Sequence, residues 1–403
     1  MKIGVLTFHT SVNNCAVMQC YALTKRLRQE FPGEDVEVID YRMPKVDSSY
    51  EATLKQYLSG GSILLKLKKL IVLIRNPGTL RWKKHRNYIF RSVLSQLPLS
   101  QKTIYDDSVE ELFTYIHKNY DIVIAGSDAI WNYETRGFPN PYFLDDSLKC
   151  KKFSYAASCY GMSYERVPQN QKEKIKRILD SYTFLSTRDW ESEKFLKEMG
   201  CNKTPVHTCD PTVFLNTKDL PVDEKKLKEK LLARGFDFNR PTIGIMGDNR
   251  MCAMVHKLYA EKYQIAALYN YCNDADVNLY DLTPYEWAFV FRYFRLTFTT
   301  FFHGTMLSLR NGIPVVCIAL ETEYAKKHMT KVEDFLVRVG MQDCYFETDY
   351  RQINIDAIRA KADELLSKDS KADICARMDR EAETSKPFFD AIRIIINEET
   401  KND

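Results

Sequence analysis

The stretch "KIGVLTFHTSVNNCAVMQCYALTKRLRQEFPGEDVEVIDYR", Lys2 to Arg42, decides the fold class. A short apolar, β-rich run ends at Phe8, polar residues break the pattern at Ser11 to Asn14, and apolar residues then recur at helical spacing from Ala16 to Phe31. Asp35 to Arg42 returns to a β-rich run. Strand, polar turn, helix, strand is the first unit of a parallel α/β domain, and its turn lies at the carboxyl end of the strand, where such sheets hold ligands.

The alternation continues outward from this unit. "YDIVIAGSD" (Tyr120–Asp128), "KKFSYAASCYG" (Lys151–Gly161), "SYTFLSTRD" (Ser181–Asp189) and "VHTCDPTVFL" (Val206–Leu215) are apolar runs that end in small or polar residues. Helices are predicted over Gln169–Asp180 and Trp190–Met199, the latter stopped by Gly200. After a polar linker, Thr217–Asp223, and a charged helix from Glu224, the pattern restarts with "RPTIGIMGD", "QIAALYNY", "RLTFTTFFHG" and "IPVVCIAL". The expected architecture is therefore α/β, with two Rossmann-like domains in tandem facing across a cleft: residues 1–216 and residues 217–378. Residues 379–403 form a C-terminal helix whose apolar face packs back on the first domain.

A chain of 403 residues is long enough to bury two or three separate cores, which excludes a small disulfide-stapled scaffold. No apolar run approaches the ~18 residues of a membrane span, and "MKIGVLTFHT" reads as a strand rather than a signal peptide, so the expected location is cytoplasmic. The eleven cysteines are scattered without CxxC pairs, which favours small buried side chains over a disulfide or zinc framework. Net charge is +4, but its distribution is uneven: between Glu51 and Asp106 no acidic residue occurs, against eleven lysines and arginines. The same stretch carries "ILLKLKKLIVLI", with leucines and isoleucines at helical spacing. Three readings stay open: a peripheral helix, within residues 61–91, at the inner face of an anionic membrane, a docking face for a phosphate-bearing partner, or a helix that packs its apolar stripe on the core. Its aromatics are not interleaved as stacking platforms, which argues against nucleic acid.

Neither GxGxxG after the first strand nor GxxxxGK[ST] anywhere is present, which argues against a dinucleotide or P-loop enzyme. Asn13 and Asn14 precede a helix that either binds an anion at its N-terminus or is simply capped by asparagine. In "AGSDAIWN", Ala125–Asn132, Ser127 and Asp128 place a hydroxyl and a carboxylate at the sheet edge, and Trp131 offers a flat face to a sugar ring; taken alone, Ser and Asp here read first as helix caps. His303 in "TTFFHGTMLSLRNGIPVV" is, by residue type alone, most simply a satisfied core histidine.

"AGSDAIWN", "YFLDD", "KKFSYAAS", "FLSTRD", "CDPTVFL" and "FHG" occur in the order and spacing of the polysaccharide pyruvyl transferase family, which the chain resembles from Lys2 to about Cys344. The resemblance implies a GT-B-like fold, with the acceptor on the side of residues 1–216 and the donor on that of 217–378, and transfer of a pyruvyl group from phosphoenolpyruvate to two hydroxyls of a sugar as a ketal, within bacterial exopolysaccharide synthesis. Phosphoenolpyruvate is the substrate; no cofactor and no metal are expected. On that basis Arg188 and His303 are the candidate catalytic residues. Arg188, His303, Gly304, Lys327 and Lys331 are the candidate donor-binding residues, the guanidinium gripping carboxylate or phosphate and Gly304 letting the backbone approach the ligand. Asn13, Asn14, Ser127, Asp128, Trp131 and Asn132 are the candidate acceptor-binding residues, for a sugar carried on a lipid diphosphate. An imidazole suits both proton transfers near neutrality, and the other six histidines lack an equivalent setting. Three positions depart from the family pattern: Phe301 where members have arginine, Cys15 where they have glycine, and Ala129 where they have glutamine. These keep two alternatives in view, a GT-B glycosyltransferase using a nucleotide sugar and an inactive sugar-binding relative.

Overall fold

A computed structural model describes residues 1–44, 53–58, 62–75, 79–107, 109–133, 137–320, 329–348 and 353–402. The chain divides into two compact units, residues 1–207 with 388–403, and residues 208–387.

The first unit is built on six parallel strands: β1 (Lys2–Leu6), β2 (Asp35–Val38), β5 (Ile122–Asp128), β6 (Lys151–Ala157), β7 (Ser186–Thr187) and β8 (Val206–His207), in the order β2-β1-β5-β6-β7-β8. Ile3 to Leu6 are buried without a break, as expected of a strand covered on both faces rather than one with a wet side. β3 (Tyr41–Arg42) and β4 (Ile104–Tyr105) form a separate parallel pair. The helix Asn14–Glu30 follows β1, and its N-cap Asn13 accepts from Cys15 N at 2.9 Å. Between β1 and β5 the winding changes direction, and the loops after these strands border that crevice.

The second unit carries β9 (Thr242–Met246), β10 (Gln264–Ala267), β11 (Val277–Asn278), β12 (Phe294–Thr299), β13 (Val315–Leu320) and β14 (Tyr345–Thr348), ordered β11-β10-β9-β12-β13-β14 and parallel throughout. This is the doubly wound order 3-2-1-4-5-6, with its switch point between β9 and β12. The helix Asn249–Tyr259 leaves β9 and the helix Phe302–Arg310 leaves β12.

The boundary between units differs from the expected 216/217. Cys209 and Val213 are wholly buried in the second core, and Cys209 N donates to Ser385 Oγ at 3.1 Å, so residues 208–216 belong to the second unit. At the other end residues 379–387 stay with the second unit, and only 388–403 belong to the first. The reason is Phe388, whose ring lies edge-on to Tyr155 at 4.7 Å, Phe153 at 5.8 Å and Phe184 at 5.9 Å. Among the described residues no cysteine is in a disulfide, and burial pushes the Cys20 and Cys317 thiols up to about 12.

Candidate active site

In the second unit the switch point is bordered by the residues that follow β9 and β12. Asp248 Oδ1 accepts from Arg250 N and Met251 N at 3.1 and 3.0 Å, starting one helix, while Thr300 and Phe301 lead into the next. Asp248, Arg250, Met251, Thr300 and Ile318 line a small concavity there. The strand ends at Thr299, so His303 sits in the first turn of a helix and not on a strand terminus as the "TFTTFFHG" run suggests.

His303 is buried, and its Nε2 lies 3.7 Å from Oδ2 of Asp210. That carboxylate is itself held: Oδ1 accepts from Thr212 N at 3.0 Å and from Thr212 Oγ1 at 2.7 Å, as the cap of the turn Pro211–Phe214. One oxygen of Asp210 is thus fixed by its own turn while the other faces the imidazole. At 3.7 Å the carboxylate and the imidazole face each other at ion-pair rather than hydrogen-bond distance. Lys331 Nζ stands 5.7 Å over the ring of Phe302, the residue before His303. Phe301, in the place of the family arginine, packs on Tyr269 with centroids 4.4 Å apart.

At the carboxyl edge of the first sheet, Arg188 is buried and donates through Nη2 to Asp128 Oδ1 at 2.6 Å, with Asp189 Oδ2 3.8 Å from its Nε. Two carboxylates therefore already balance the guanidinium. Asp128 is in the left-handed region, φ 75°, and Gly126 has φ 139°; a Cβ at Gly126 would stand 2.0 Å from Tyr155 O, so the glycine lets β5 and β6 close up before the chain turns. Ser127 Oγ is buried and has no hydrogen-bond partner among the described residues.

A second polar cluster follows β1 and β2. His9 is buried, with Nε2 2.9 Å from Asp40 Oδ1 and Nδ1 3.3 Å from Thr7 O. Arg42 donates to both oxygens of Asp40, through Nε at 2.8 Å and Nη2 at 2.9 Å, and Thr103 Oγ1 adds a third contact at 2.7 Å. Burial opposes ionisation of Asp40, but the hydrogen bonds from His9, Arg42 and Thr103 outweigh it and hold the carboxyl well below the usual carboxylate range.

The structure brings Asp128 to Arg188, and Lys331 over the ring of Phe302, next in the chain to His303. It corrects several other expectations. Trp131 is fully buried, stacked on Phe143 and edge-on to Tyr182, because the chain turns inward after Asp128; it has no face for a sugar. Asn132 donates to Tyr160 O at 2.6 Å and is a structural brace. Asn13 serves as the helix cap; Asn14 Oδ1, by contrast, is buried without a hydrogen-bond partner among the described residues. Gly304 serves packing rather than ligand approach, since a Cβ there would come 2.3 Å from Thr299 Oγ1 and 3.0 Å from Met246 Sδ. Lys327 lies outside the described residues. Sequence reasoning missed His9 with Asp40, and the view that no other histidine has a comparable setting is overturned. It also missed Asp210; its only signal was the "CDPTVFL" motif, which does not show which side chain the carboxylate meets.

A model of the polysaccharide pyruvyl transferase family matches residues 16–322. A comparison with curated proteins finds no match. Solved structures share the fold at low identity. A putative UDP-N-acetylglucosamine 2-epimerase from Listeria monocytogenes is 11% identical, with TM-score 0.55, over 98% of this chain and 97% of that one. UDP-GlcNAc 2-epimerase from Neisseria meningitidis, solved with UDP-GlcNAc, is 9% identical, with TM-score 0.51, over 97% and 99%. The spinosyn forosaminyltransferase is 12% identical, with TM-score 0.51, again over 97% and 99%. The likeness establishes a GT-B-like fold, a pair of α/β units with parallel sheets.

Proposed function

The chain belongs to the polysaccharide pyruvyl transferase family, and from that premise we propose that it transfers the pyruvyl group of phosphoenolpyruvate to two hydroxyls of one sugar as a ketal. The observation that carries this reading is the His303–Asp210 pair in the first turn of a helix at the second unit's switch point. The reaction has a strict proton balance. One hydroxyl proton ends on C3, which becomes a methyl group; the other leaves with phosphate; two C–O bonds form at C2 as its bond to the phosphate oxygen breaks. An imidazole that gives a proton to C3 and takes one from a hydroxyl suits both transfers. Asp210 holds the ring in place and stabilises its charged form between them.

The helix start at Phe302, whose N-cap residue Phe301 provides no side-chain cap, favours an anion, and Lys331 beside Phe302 supplies charge where Phe301 replaces the family arginine. In the first unit Arg188 acts as a positioning residue: its hydrogen bond fixes the direction of the Asp128 carboxylate, so that Asp128 and Ser127 recognise acceptor hydroxyls. The acceptor we propose is a sugar on a lipid diphosphate, modified in the cytoplasm where phosphoenolpyruvate is made. The purified chain, given phosphoenolpyruvate and lipid-diphosphate sugars, should release phosphate in step with acceptor gaining pyruvate less one water. Phosphate release without that gain, or sugar transfer from a nucleotide donor instead, would overturn the reading.

A further inference from the structure

The helix Ile63–Arg75 in the first unit exposes seven large apolar side chains: Ile63, Leu64, Leu65, Leu67, Leu70, Ile71 and Ile74, from 40 to 78% accessible. Burying such side chains is what makes an amphipathic helix stable in a globular protein, so a stripe left in water calls for an occupant. At 100° per residue, Ile63, Leu67, Leu70 and Ile74 fall on one line, with Leu64 and Ile71 widening it, and Lys66 and Lys68 flank it on opposite sides. The next helix, Thr79–Leu94, buries Ile89, Phe90 and Val93 and exposes Arg81, Lys84 and Arg91.

Charge selects the occupant. From Glu51 to Asp106 the chain has eleven basic residues and no intervening acid, whereas the rest of it is net acidic. A protein partner or a second copy would have to cover a wide apolar stripe and neutralise this field together; an anionic lipid surface does both at once. At 1.5 Å per residue the helix is about 20 Å long, short of the ~30 Å hydrocarbon core, and no helix among the described residues is long and apolar enough to cross a membrane. We propose that Ile63–Arg75 lies in the plane of an anionic bilayer, its leucines among the acyl chains and its lysines at the headgroups. This deepens the lipid-linked acceptor reading, yet its test needs no substrate, so the two fail separately.

The full chain should co-sediment with phosphatidylglycerol–phosphatidylcholine vesicles and not with phosphatidylcholine alone, and added salt should weaken the binding. Each of Lys66→Gln and Lys68→Gln should cost about fivefold in vesicle affinity, and Leu67→Glu with Leu70→Glu at least about tenfold. Both leucines are exposed, so folding should survive. In Leu67→Trp the indole emission should shift to the blue on anionic vesicles. Unchanged emission, equal binding to neutral vesicles, or a lipid-free dimer broken by the glutamate pair would each overturn the proposal, the last by assigning the stripe to a second copy.

Discussion

At the scale of single residues, two buried imidazole–carboxylate pairs do different work. Asp40 is gripped by three donors of the same unit, Arg42, Thr103 and His9, and its role is to hold the loops after β1 and β2. Its folded pKa lies below the unfolded value of about 4, so its stabilisation is fully present above that value and is lost as pH falls through the folded one. Asp40→Asn should cost about 3 kcal/mol at neutral pH, by leaving the partly buried Arg42 and the buried His9 without their carboxylate, and the gap from the parent should narrow in urea titrations below about pH 4. A gap that widens in acid would assign the stabilisation to another group. His303 faces one oxygen of Asp210, at 3.7 Å. His303→Ala should lower kcat by about 10²- to 10⁴-fold with the far-ultraviolet dichroism unchanged. Asp210→Asn should lower kcat less, leave KM near the parent value and move the pH–rate profile, which a purely structural role would not do. If His303→Ala turns over at the parent rate, the histidine is a core residue after all.

At the scale of elements, the decisive feature is how tightly the helix Phe302–Arg310 lies on the end of β12. Gly304 permits it: Thr299 Oγ1 accepts from Phe301 N at 2.9 Å and occupies the space a Cβ would need. Gly304→Ala should therefore destabilise the second unit by about 1–3 kcal/mol in thermal unfolding, by forcing the helix off the strand and His303 away from Asp210. An unshifted melting temperature would mean that the strand end yields at little cost. The elements were largely legible beforehand. Gln169–Asp180 has the predicted bounds, and Trp190–Glu198 ends one residue short of its prediction, its start marked by Asp189, whose side chain accepts from Ser192 N. Apolar runs read as long strands were shortened where the chain leaves the sheet: within "SYTFLSTRD" the pairing is a single bridge from Phe184 to Phe153 and the two-residue strand Ser186–Thr187, and within "VHTCDPTVFL" it is Val206–His207. A run of buried apolar residues has the same composition whether its backbone pairs with a neighbour or merely packs on one.

At the scale of the whole molecule, the chain returns to its first unit at Phe388. Truncation after Pro387 should strip amide-exchange protection from β6 and β7, next to the lost ring, and leave β9 and β12 protected. Phe388→Ala should cost about 3–5 kcal/mol, read on the same strands. Equal loss in both sheets would show that the two units unfold as one.

What the sequence determined by itself was periodic and local: two α/β alternations, the parallel sheets that such alternation requires, the helix caps, the family, and a basic apolar stretch unlike the rest of the chain. Only the tertiary structure decided which polar side chains meet. Asp210 reaches His303, Arg188 answers Asp128 rather than standing open, Trp131 turns into the core, and the helix Ile63–Arg75 keeps its leucines in water. The physical reason is range: hydrophobic period and capping act over a few residues and are written in neighbouring letters. A salt bridge or a buried face depends on where distant segments come to lie, which a parallel sheet sets through its strand order.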